Sequence, residues 1–107
     1  MNRGQGGMNM AQYCNQFTVH ISPNIEWGNY QQIVQASREL HSSAFKLFLF
    51  FTSHRPDTDL TFFPSTFCDE FGVSMSSEKR SFQELLEKGY LEQKSINYFI
   101  FVGVQNE

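Results

Sequence analysis

The chain has 107 residues, 40% hydrophobic and 16% aromatic, which gives one domain with a packed core and argues against disorder. Its formal net charge of −3 excludes a broad basic surface, so any face that holds a polyanion has to be local. No apolar run reaches the roughly 18 residues of a membrane span, and Cys14 and Cys68 fit no metal spacing or disulfide framework.

Residues 1 to 16 have no apolar block after Arg3 and read as a flexible leader rather than a secretory signal, so the expected location is cytoplasmic. FTVHI, residues 17 to 21, alternates apolar and polar side chains as a short strand does, and Ser22-Pro23-Asn24 ends it. After Gly28 and Asn29, NYQQIVQASREL predicts a short helix with Tyr30, Ile33, Val34 and Ser37 on one face.

Ser42 and Ser43 are placed to cap the next helix, SSAFKLFLFFTSH. Ala44, Leu47, Phe48 and Phe51 make one stripe of it, and Phe45, Leu49 and Phe50 cover the rest. A helix apolar on every side is either central to the core or part of an interface. With the Phe17–Ile21 strand it offers more apolar surface than one small domain easily covers, which predicts a homodimer. Pro56 biases Arg55 away from helical geometry and stops the helix. The Asp57/Asp59 pair reads as a solvated loop. Residues 60 to 63 form a very short strand.

Pro64 suits the first turn of a second short helix that turns Phe67, Cys68 and Phe71 inward, and Gly72 ends it in the left-handed conformation. Ser74 then caps a longer helix through Lys88, with Phe82, Leu85 and Leu86 as its apolar stripe and Gly89 as its terminator. On that helix, residues 77, 80, 81 and 84 fall opposite the Phe82–Leu85 stripe. Two strands, 90 to 94 and 97 to 102, close the chain as a hairpin. Charge is sparse throughout. Residues 44 to 73 set Lys46 and Arg55 against Asp57, Asp59, Asp69 and Glu70, and residues 74 to 94 balance four basic against four acidic side chains.

The segments SSAFKLFLFFTSHR, FFPSTFCDEFGVS and KRSFQELLEKGYL resemble the winged helix-turn-helix domains of small phage and plasmid replication or regulatory proteins. The resemblance implies an α+β fold: a three-helix core and a C-terminal hairpin wing over residues 43 to 104, with residues 17 to 42 as a strand-and-helix extension. It also implies a DNA-binding regulator or replication accessory protein whose third helix lies in the major groove of double-stranded DNA. Carried onto this chain, the contacts are Met75, Ser76, Ser77, Lys79, Arg80 and Gln83 on the helix, with Lys94 on the wing. Arg80 suits guanine, Gln83 adenine, and the serines phosphate.

Two residues depart from that pattern. Glu78 stands where the family has an apolar residue locking the helix to the core, and Glu84 falls on the presumed DNA face. The acidity supports an alternative, an inhibitor encoded by a mobile element (comparable to an anti-CRISPR protein). It would use Asp69, Glu70, Glu84 and Glu87 against the basic channel of a host nucleic-acid enzyme. No activated nucleophile or paired-carboxylate site is present in the sequence, and His20, His41 and His54 share no ligand spacing. No enzyme, cofactor or metal is therefore expected.

Overall fold

The structure, a computed structural model, describes residues 16–23 and 30–103. Cys14, Asn24, Gly28, Asn29 and the expected leader before Gln16 lie outside the described residues. The element order is β1 (Phe17–Ile21), α1 (Tyr30–Glu39), α2 (Ser42–Thr52), β2 (Thr58–Phe62), α3 (Pro64–Phe71), α4 (Met75–Glu87), β3 (Leu91–Ser95) and β4 (Tyr98–Phe101). The strands form one mixed sheet in the order β2-β1-β4-β3. β1 runs antiparallel to β2 and parallel to β4, while β3 and β4 pair as an antiparallel hairpin with an irregularity between Gln93 and Ser95.

β1 lies inside the sheet. The Thr18 N–H donates to the Asn97 carbonyl at 2.9 Å, and the Ser22 N–H to the Phe101 carbonyl at 3.0 Å. On the other side Phe17 faces Phe62 and Val19 faces Leu60 in register. Residues 17 to 21, read from the sequence as an extension, thus share one sheet and one core with residues 58 to 101. The period-2 alternation decides which side chains turn inward. Phe17, Val19 and Ile21 are buried, as are Phe62, Leu91, Phe99 and Phe101 of the other strands.

Helices cover that inner face through a continuous set of aromatic contacts. Phe51 of α2 meets Phe62 and Phe101 at 5.3 Å between ring centroids, and Phe82 of α4 meets Phe17 at 5.2 Å and Phe99 at 4.9 Å. Phe48, Phe67, Phe82 and Leu85 are buried in a single cluster, as the helical periodicities predicted. Each such ring pair adds about 0.5–1.5 kcal/mol beyond its area burial.

Four local expectations change. The strand after the Pro56 loop begins at Thr58 and ends at Phe62, because Phe63 has turned to become the N-cap of α3. α1 packs on α2; Ala36 and, just past the helix, Leu40 are buried in the core with Ile33 half-buried against it, and Tyr30 is 77% exposed. Of the expected face Ile33 and Val34 are half-buried, while Tyr30 and Ser37 are exposed and the fully buried position of α1 is Ala36. The N-cap of α2 is His41, one residue before the serines, and it makes no side-chain capping bond. Finally, the apolar sides of α2 are largely covered from within: Phe45, Leu49 and Phe50 are half-buried against the core.

Candidate functional site

α3 ends at Gly72, whose φ of +67° is the left-handed geometry that glycine adopts without penalty. The Val73 N–H donates back to the Cys68 carbonyl at 3.1 Å, and Val73 is buried. Ser74 then starts α4: its Oγ accepts the Ser77 N–H at 3.1 Å. Three residues thus fix the angle between α3 and α4, and each is held by a conformation or a bond that its side-chain type favours.

The inward side of α4 is broader than its apolar stripe. Ser81 is only 3% exposed, its Oγ donating to the Ser77 carbonyl at 2.8 Å, and Glu78 is fully buried. Glu78 therefore takes the inward position that the resemblance gives to an apolar residue. Glu84 is half-buried and accepts the His41 N–H at 3.2 Å, joining α4 to the start of α2. Positions 77, 81 and 84 line a groove with His41, Ser42 and Ser43 at the start of α2, against the expectation that they lie opposite the core.

The outward row is Ser76, Arg80, Gln83 and Glu87, all exposed. Arg80 has one long contact, Nη2 to the Ser77 Oγ at 3.5 Å, and the Gln83 amide donates to Glu87 at 3.4 Å. At the helix start Met75 is 41% exposed and approached by the Cys68 thiol at 3.4 Å. Burial pushes the Cys68 thiol up, and Glu78 and Asp69 push it further, so it stays protonated and is a poor nucleophile. Lys79 is half-buried. Lys94 lies in β3 just before the hairpin turn, paired with Glu92 at 3.3 Å.

Of the carboxylates named for a protein interface, Asp69 and Glu70 are exposed on α3. Glu84 and Glu87 instead line a cleft of about 690 Å³ between α4 and the end of α1. The four are therefore divided between two helices. Around Glu39, at the α1 end of this cleft, is a cluster the sequence did not suggest. The Tyr90 hydroxyl donates to Glu39 at 2.6 Å, Gln35 donates to the same carboxylate at 3.0 Å, and the Lys88 ammonium donates to the Glu39 carbonyl at 3.0 Å. The Tyr90 bond, then the Gln35 bond, hold the Glu39 carboxyl below its usual range, while burial raises the Tyr90 phenol. Arg38, beside Glu39, faces the cleft from the other wall. Its only sequence signal was a basic residue in the last turn of a helix, which by itself indicates nothing more than a favourable helix end.

Among the described residues no group of three or more His, Cys, Asp or Glu side chains is placed to hold a metal ion. His20 bridges two carboxylates instead, Asp59 at 2.7 Å and Asp57 at 3.3 Å, so those aspartates are not merely solvated. No described helix is long and apolar enough to cross a membrane. No protein-family model matches the chain, and no curated protein or solved structure matches it significantly.

Proposed function

We propose that this chain is a DNA-binding protein of winged helix-turn-helix design, a regulator or replication accessory protein of a phage or plasmid. α4 is the helix that enters the major groove, and the β3–β4 hairpin is a short wing. One observation supports this above the rest: α4 offers Ser76, Arg80 and Gln83 as an exposed row, on a helix whose other sides are fixed against α2, α3 and the sheet. A rigid helix with a guanidinium and an amide at successive outward positions has the donors and acceptors to read base edges. The acidic chain predicts weak non-specific affinity, so base contacts have to supply most of the discrimination.

The inhibitor reading draws on the net charge of −3. Against it, Glu84 and Glu87 already accept hydrogen bonds from His41 and Gln83. The two readings separate in a gel-shift series on duplexes selected from a random pool, at ~50 mM salt. Arg80→Ala is expected to lose on the order of 1–3 kcal/mol for the selected site and to relax preference at one base pair. Reversing Asp69 and Glu70 to lysine is expected to leave that preference intact. A wild-type chain that shifts no duplex in this series refutes the proposal.

A further inference from the structure

The cleft beside α4 has an unequal distribution of engaged charges. Its three carboxylates each accept a hydrogen bond within the chain: Glu39 from Tyr90 and Gln35, Glu84 from the His41 N–H, Glu87 from Gln83. Its lysine, Lys88, is held on the Glu39 carbonyl. Its two guanidiniums are not engaged in this way. Among the described residues neither Arg38 nor Arg80 forms an ion pair, and both are exposed, one on each wall. The cleft is formally neutral, and its two guanidiniums are the charges in it that neither pair with a carboxylate nor rest on a backbone carbonyl.

We propose that Arg38 is a DNA phosphate contact: when α4 enters the major groove, the last turn of α1 lies along one rim and Arg38 binds the sugar–phosphate backbone there. This rests on the DNA reading of α4. Guanidinium suits the assignment because its fork pairs with phosphate oxygens bidentately and it is only weakly hydrated. Arg80 and Arg38 then divide the work, one toward base edges and the other toward backbone. The contact also assigns α1 a purpose outside the three-helix core.

The test measures duplex binding by fluorescence anisotropy across a salt series, using the full chain with wild-type, Arg38→Ala, Arg38→Lys and Arg80→Ala sequences. The probes are a random-sequence duplex pool and the duplex selected from it. Arg38→Ala is expected to weaken both probes by the same factor, roughly five- to tenfold at ~0.1 M salt, and to flatten the slope of log K against log salt by about one. Arg38→Lys should recover most of the slope, and Arg80→Ala should act on the selected duplex alone. An Arg38→Ala chain with wild-type slope and affinity overturns the contact and leaves the DNA reading standing. So does a loss that tracks a lowered melting temperature and is not recovered by lysine, since Arg38 then serves only the α1 terminus. A wild-type chain that binds neither probe overturns both.

Discussion

Glu84 sits one helical turn beyond Arg80, and on a helical wheel the two share a side. In the fold its carboxylate accepts the His41 N–H at the start of α2 while still lining the cleft beside α4. Nothing in the local sequence announces that bond, because donor and acceptor come from separate helices. The Tyr90–Glu39 pair is similar, joining the start of β3 to the end of α1. It makes a pH prediction with a definite sign. Glu39 is held below its usual pKa by that bond, so its contribution to stability is present above the ordinary carboxylate value and disappears as pH falls through the lowered one. Tyr90→Phe keeps the ring packed edge-on against Phe48 at 5.6 Å and removes the hydroxyl. It is expected to lower stability at neutral pH by no more than about 1 kcal/mol, because Glu39 is open to water. Thermal melts should show the gap closing under acid conditions. A gap that persists unchanged to the lowest pH would assign the loss to packing.

The elements themselves were largely legible. α2, α3 and α4 start and stop within a residue or two of where Pro56, Pro64, Gly72, Ser74 and Gly89 place them, because those residues act through local backbone geometry. The faces were less legible. α1 buries Ala36 rather than Tyr30, and α4 buries Ser81 and Glu78, since the width of a buried stripe depends on the neighbouring helix and not on the helix alone. The α3–α4 turn gives an element-scale test. A Cβ at Gly72 would meet nothing within 4 Å, yet φ is +67°. Gly72→Ala is therefore expected to cost about 1–2 kcal/mol through backbone strain alone, read by chemical denaturation. A neutral result would show that the turn can relax without moving α4.

At the scale of the molecule, β1 alters the architecture that the winged-helix resemblance implied. Its alternation marked it as a strand, but pairing is a long-range choice, and no local signal places residues 17 to 21 between β2 and β4. β1 supplies three of the sheet's buried side chains and all the described strand pairing of β2. A chain beginning at residue 43 is accordingly expected to lose cooperative unfolding and near-UV circular dichroism. A truncated chain that melts as a single sharp transition would make β1 an accessory.

The outward row of α4 is the proposed DNA-reading surface. Backbone amide NMR of the wild-type chain, titrated with its selected duplex, tests it most directly. The largest shifts are expected at Ser76, Arg80 and Gln83, a second set at Arg38, and little change at Asp69 and Glu70. Shifts confined to α3, or a spectrum unmoved by duplex at ~50 mM salt, would contradict it.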